Sequence, residues 1–149
     1  MIFADTSLLC ALYREQDNSP DADHLMRRKI EPVHVSSLVL FEFRQSTRLQ
    51  VFRYSKDRTH GFSKREAQGM LDMLQANITA GSIVVSPVEW QEVHKIAEKL
   101  SSQHTMNSGH RALDVIHVAT ALHLKAREFL TFDGNQSALA RAAGLKVSP

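Results

Sequence analysis

The stretch Arg111 to Asp133, RALDVIHVATALHLKAREFLTFD, decides how the rest of the chain is read. Val115, Val118, Ala119 and Leu122 recur at helical spacing. After a break at Lys125 to Glu128, Phe129, Leu130 and Phe132 make a short apolar run of strand type. A buried helix is therefore followed by a buried strand, with Asp114 near one outer end and Asp133 at the other. A carboxylate beside buried apolar side chains is costly unless it finds a partner or opens into a cleft. In parallel sheets, ligands gather at the carboxyl ends of strands. A bound cation is one partner that would satisfy both acids.

The same succession opens the chain. Met1 to Ala4 is apolar and ends in Asp5-Thr6-Ser7, and Leu8, Leu9, Ala11, Leu12 and Tyr13 then suggest a first helix. A polar segment from Gln16 to Asp23 leads into a second short helix over Ala22 to Ile30, and Val33 to Val35 is a second strand. Ser36 and Ser37 are suited to cap a long helix from about Leu38 to Tyr54, in whose first turns, LVLFEF, Glu42 is the lone charge. Ser55 to Gly61 reads as a turn, and Ser63 caps a helix carrying Ala67, Met70, Leu71 and Leu74 on one face. Ile83 to Val85 is a third strand. Pro87 then starts an amphipathic helix containing Val88, Trp90 or Val93, Ile96, Ala97 and Leu100, which runs out in the polar Ser101 to Gly109. Beyond Asp133, Gly134 and Asn135 suggest a turn, Ser137 to Ala143 a helix capped by Gly144, and Leu145 to Val147 a last strand. Short apolar strands alternating with helices predict an α/β fold, its sheet parallel and covered on both sides.

A chain of 149 residues suffices for one domain, residues 1–149, with a core that needs no disulfide. Cys10 is alone, and the C-x-x-C and H-E-x-x-H spacings of zinc sites are absent, as expected in a reducing cytoplasm. No basic leader precedes the first apolar run, and no run reaches the roughly eighteen apolar residues of a membrane span, so a soluble cytoplasmic protein is expected. A net charge of +2 and a pI near 8.9 do not by themselves indicate nucleic acid. The distribution says more: Arg27, Arg28 and Lys29 form a triplet, and Arg44, Arg48, Arg53, Lys56, Arg58, Lys64 and Arg65 crowd one stretch. Arg44 and Arg48, one helical turn apart and just beyond Glu42, are the candidate phosphate contacts.

Each acid also has an ordinary explanation. Asp5 could cap the first helix, Asp114 could sit in a first helical turn, Asp133 could open a D-G turn, and Glu42 could face solvent. All four explanations would have to hold together. Four carboxylates in one place repel one another unless a divalent cation compensates them, and oxygen-only ligation suits Mg²⁺ or Mn²⁺. Such a cation polarises a phosphoryl oxygen and acidifies an attacking water, which makes phosphodiester hydrolysis the natural reaction.

FADTSLL around Asp5, LFEF around Glu42, RALDVIHVATAL around Asp114 and TFDGNQSALARAAGLKV around Asp133 together resemble the PIN domain, in particular the VapC-type toxin ribonucleases. The resemblance implies a three-layer α/β/α domain with a central, mostly parallel sheet of four to five strands. It implies that Asp5, Glu42, Asp114 and Asp133 form the catalytic, metal-binding set for one or two Mg²⁺ or Mn²⁺ ions. Thr6 and, more weakly, Ser7 would support that set, and Asn135 or Gln136 is the alternative to Asp133 for completing it. The implied activity is endonucleolytic RNA cleavage by a toxin. Its partners would be the RNA substrate, a small antitoxin protein, and further copies of the chain in a homodimer or higher oligomer. A housekeeping RNA-processing nuclease and a catalytically silent RNA-binding domain are the alternatives on the same fold. A haloacid-dehalogenase-like phosphatase needs a second acid where Ser7 stands, and a receiver domain needs an acidic pair and a late lysine that are not evident. His117 is read as a packing residue rather than a general base, and Trp90 as core or dimer packing.

Overall fold

The computed structural model describes residues 1–28 and 31–149. Five three-residue strands, β1 (Ile2–Ala4), β2 (Val33–Val35), β3 (Ile83–Val85), β4 (Glu128–Leu130) and β5 (Lys146–Ser148), form one sheet in the order β3-β2-β1-β4-β5. Every pairing is parallel, with Phe3 opposite His34 on one side and Phe129 on the other. The central strands β1 and β4 are buried at all three positions, as a strand covered on both faces must be. Phe3 and Phe129 stack with ring centroids 6.2 Å apart and, with Ile2, Leu8, Leu9, Leu130 and Leu139, build the core. The expected α/β/α architecture is what the chain adopts.

The helices are α1 (Thr6–Tyr13), α2 (Ser19–Arg28), α3 (Ser37–Lys56), α4 (Lys64–Thr79), α5 (Trp90–Leu100), α6 (Met106–Ser108), α7 (Ala112–His123) and α8 (Gly134–Ala142). Ser36 caps α3 by accepting from the Val39 N–H. Ser63 and Glu66 form a reciprocal capping box on α4. Gly61 adopts φ +76°, and a Cβ there would lie 2.1 Å from the Gln50 carbonyl oxygen, so the turn closes against α3 only with glycine.

Several boundaries differ from expectation for identifiable reasons. α2 starts at Ser19 rather than Ala22, because Ser19 Oγ ties back to the Arg14 carbonyl and opens the helix earlier; the expected end at Ile30, with Lys29, falls outside the described residues. Pro87 does not open α5, which begins at Trp90. The polar run from Ser101 continues α5 through a π-helical turn, Ser101–Thr105, into α6, and ends where Gly109 takes φ +66°. Gly134 and Asn135 form the first turn of α8 rather than a separate loop, since Asp133 already caps that helix. Among the described residues, no helix is long and apolar enough to cross a membrane.

Candidate active site

The strand order places a crevice at a definite spot. From β1 the chain moves outward to β2 and β3, then returns to β4 on the other flank of β1, so the connections leave the carboxyl ends of β1 and β4 in opposite directions. Asp5 follows β1, and Thr131 to Asp133 follow β4. A cleft of about 440 Å³ lies above them, walled by α1, α3, the start of α7 and the start of α8; its lining includes Thr6, Ser7, Glu42, Asp114 and Asp133. Asp5 itself is not in the lining.

Asp5 is 0% exposed and is a structural joint. Its Oδ1 accepts from the Ser7 and Leu8 N–H groups at 3.0 and 3.2 Å and from Ser7 Oγ at 2.7 Å, which caps α1. Its Oδ2 accepts from Thr131 Oγ1 at 2.8 Å, tying β1 to the end of β4. Burial pushes the Asp5 carboxyl above the usual range, against the hydrogen bonds from Ser7 and Thr131 that favour its ionised form. Ser7 Oγ also accepts from the Phe132 N–H at 2.7 Å, so this hydroxyl links both strand ends and carries more of the local structure than Thr6.

Glu42 projects from the second turn of α3 into the cleft. Its Oε2 accepts hydrogen bonds from Thr6 Oγ1 and, at 2.7 Å, from His117 Nε2. The His117 hydrogen bond is the main reason the Glu42 carboxyl sits below its ordinary range, with Thr6 contributing further. His117 is 1% exposed, packed as the apolar helix predicts, yet it also orients a cleft carboxylate. The other ring nitrogen of His117, Nδ1, is buried and has no hydrogen-bond partner among the described residues.

Asp114 and Asp133 share one cation. Arg111 Nε donates to Asp114 Oδ2 at 3.0 Å, and its Nη2 lies 3.5 Å from Asp114 Oδ1 and 3.4 Å from Asp133 Oδ2. Asp133 caps α8 through the Asn135 and Gln136 N–H groups, leaving its other oxygen toward Arg111. Gln136 Nε2 donates to Asp114 at 3.3 Å, while its buried Oε1 has no partner among the described residues. Among those residues, no three carboxylate, imidazole or thiol groups are arranged to hold a metal ion as they stand. The donor chemistry nevertheless suits a hard divalent cation: it is oxygen-only, it includes an unpartnered buried amide oxygen, and a guanidinium stands between two of the carboxylates where positive charge is needed.

The sequence profile of the PIN domain matches residues 2–142. The chain belongs to the PIN domain family. No curated protein matches it by sequence. Among solved structures, this PIN domain is similar to Mycobacterium tuberculosis VapC20, described as a toxin that cleaves the sarcin–ricin loop, with 24% identity, a TM-score of 0.68 and all of both chains covered. It is similar to FitAcB from Neisseria gonorrhoeae at 20% identity and TM-score 0.64, covering 100% of this chain and 97% of that one. It is also similar to Rickettsia felis VapBC2, solved with a DNA fragment from its promoter, at 16% identity and TM-score 0.62, covering 99% and 98%.

Within this PIN domain, the expected site residues divide. Glu42, Asp114, Asp133, Thr6 and Ser7 line one cleft, with Asp5 directly behind Ser7. Asn135 is exposed and gives its N–H to the Asp133 cap, and Arg44 and Arg48 lie outside the cleft lining. The guanidinium groups that do line it belong to Arg14 and Arg111. Sequence reading passed over both, together with Thr131 and the amide of Gln136 as a partner of Asp114. Arg111 had a detectable signal, since it precedes Asp114 by three residues and so falls on the same helical face. Arg14 had none, because its neighbours come from α3, about thirty residues away. Trp90 is partly buried and borders an apolar groove of about 540 Å³ with Phe41 and Leu113.

Proposed function

We propose that the chain is a divalent-metal-dependent endoribonuclease, one domain over residues 1–149, and the toxin of a type II toxin–antitoxin pair acting in the cytoplasm. The observation that carries the proposal is the convergence of Glu42, Asp114 and Asp133 on one cleft at the sheet's switch point, with Asp5 behind them. PIN nucleases generally use a divalent metal. The structural likeness to VapC20 supports the toxin reading, and a small antitoxin and self-association as a homodimer or higher oligomer belong to the same proposal.

Asp114, Asp133, Glu42 and Asp5 would hold Mg²⁺ or Mn²⁺, with Thr6 and Ser7 supporting them. When bound, the cation would stabilise charge on the phosphoryl oxygens and make a water molecule acidic enough to attack at neutral pH. The water oxygen bonds to phosphorus as the P–O3′ bond breaks, leaving a 5′-phosphate and a 3′-hydroxyl. His117 and Thr6 keep the Glu42 carboxylate ionised and pointed into the cleft. The α8 cap fixes Asp133, and Gln136 fixes Asp114. The test is incubation of purified protein with single-stranded RNA and Mn²⁺ or Mg²⁺ beside a chelator control. Cutting that is equal with and without chelator would overturn the metal-dependent reading.

Arg111 bears directly on cation binding. Its guanidinium must leave Asp114 and Asp133 before a cation can replace it, and at 70% side-chain exposure it leaves readily. Arg111→Gln is therefore expected to tighten Mn²⁺ binding about fivefold in a calorimetric titration. Unchanged affinity would show that the guanidinium does not stand in the cation's place.

A further inference from the structure

Arg14 is the C-cap residue of α1, and its guanidinium lies between α1 and α3. Nη2 donates to the Phe43 carbonyl at 3.3 Å, to Thr47 Oγ1 at 2.8 Å and to Ser46 Oγ, and the group lies 5.1 Å from the Phe43 ring centroid and 5.9 Å from that of Phe62. All of these partners are neutral. Among the described residues no carboxylate comes within ion-pair distance of Arg14, whereas Arg111 in the same cleft has two. Arg14 Nε is buried and has no hydrogen-bond partner in the described structure. Burial disfavours its charge, as expected of a half-buried cation with no carboxylate paired to it among the described residues. A half-buried guanidinium with neutral partners and a free Nε, at the edge of an acidic cleft, is suited to meet an anion.

The position of Arg14 indicates which anion. Ser7, Cys10 and Arg14 follow one another along one face of α1, and Glu42 and Ser46 along one face of α3, and all five line the cleft that holds Asp114 and Asp133. The cleft thus has carboxylates at one end and, about 6 Å further along α3, one turn past Glu42, an uncompensated guanidinium. A carboxylate end suits a metal-bridged phosphate, and the guanidinium end suits a phosphate bound directly. We propose that Arg14, with Ser46 beside it, binds the RNA backbone phosphate flanking the scissile one, and so sets the direction in which the strand crosses the acids. The proposal rests on the ribonuclease reading of the same cleft. Arg14, rather than Arg44 or Arg48, is then the phosphate contact nearest the chemistry.

The competing account is that Arg14 only fastens α1 to α3. Charge and fastening are separable. In an Asp114→Asn host, which does not consume the probe, affinity for a labelled mixed-sequence single-stranded RNA is measured across a salt series with Arg14, Arg14→Gln and Arg14→Lys. Each chain is also melted. Loss of one phosphate contact is expected to weaken binding about tenfold for Arg14→Gln and to lower the slope of log affinity against log salt by about 0.7. Arg14→Lys keeps the charge but not the forked geometry, so it is expected to restore the slope even if its melting temperature falls with that of the glutamine variant. A slope unchanged in Arg14→Gln, with both variants equally less stable, overturns the proposal and leaves Arg14 a fastener. Wild-type protein that neither binds nor cuts RNA overturns the ribonuclease reading and this proposal with it. Cutting by the wild type with an unaltered slope overturns the proposal alone.

Discussion

Replacing Asp114 by Asn is expected to reduce metal-dependent RNA cleavage about a thousandfold while leaving the fold nearly as stable as before. The two halves of this expectation come from different observations. Asp114 is 4% exposed, yet the polar groups around it are not stranded by the change: Arg111 is largely solvated, and Gln136 keeps an amide to meet. Asparagine retains one acceptor oxygen in the first turn of α7 and loses only a favourable charge near the helix start, so the cost to folding is expected to stay within about 1 kcal/mol. The negative charge itself is what a divalent cation requires. Urea denaturation and a Mn²⁺ titration on the same preparation separate the halves: a normal midpoint with weakened metal binding and lost cleavage is the expected pattern. Cleavage at the wild-type rate would remove Asp114 from the site. A collapsed midpoint would mean that its role is structural.

The outline of the fold was legible because the apolar segments are short and sharply bounded. Three residues of strand, an acid or serine, then a helix is a pattern suited to a parallel sheet covered by helices; β1 and β2 follow it directly, and β4 does so after Thr131 and Phe132. Boundaries failed where polar residues joined the helix. Gly134 and Asn135 look like turn residues in sequence, yet they form the first turn of α8, where the Asn135 and Gln136 N–H groups donate to the Asp133 cap. Ser101 to Thr105 look like a loop, yet no residue before Gly109 takes the left-handed conformation that ends the helix. In the cleft, the carboxylates could be picked out because a charged side chain among apolar neighbours demands a reason. Their partners could not. Thr131, Arg14 and His117 meet Asp5, Ser46 and Glu42 across separations of 126, 32 and 75 residues, and sequence spacing carries no record of such contacts. His117 shows the limit well: its burial was readable from the apolar helix, but its hydrogen bond to Glu42 depends on where α3 packs.

Asp5→Ala is expected to lower stability by about 3 to 4 kcal/mol, far more than Asp114→Asn. Both ordinary and functional explanations for Asp5 apply, and the ordinary one dominates its energetics. Its carboxylate is the acceptor for two backbone N–H groups and two hydroxyls in a place with no access to solvent. Alanine removes the α1 cap, worth about 0.5 to 2 kcal/mol, and leaves buried donors unpaired at about 1 to 3 kcal/mol each, partly relieved where the Ser7 and Thr131 hydroxyls turn to one another. Asp5→Asn is expected to cost only about 1 kcal/mol, because the amide oxygen can keep the three bonds at Oδ1 while the Thr131 hydroxyl rotates to accept from the amide nitrogen. The sign of the pKa shift agrees. Burial raises the folded carboxyl above its unfolded value, so whatever stability its protonation adds is fully present below the unfolded value and is lost as pH rises through the folded one. An uncharged group is therefore tolerated there better than a missing one. Denaturation midpoints for the two variants, read beside that of Asp114→Asn, test this order. If Asp5→Ala were as stable as the wild type, the carboxylate would not be the joint between β1, α1 and β4. The order also determines which variant can report on chemistry: loss of cleavage in Asp5→Ala would reflect a disrupted strand end, whereas loss in Asp5→Asn, with the fold intact, would isolate the missing negative charge.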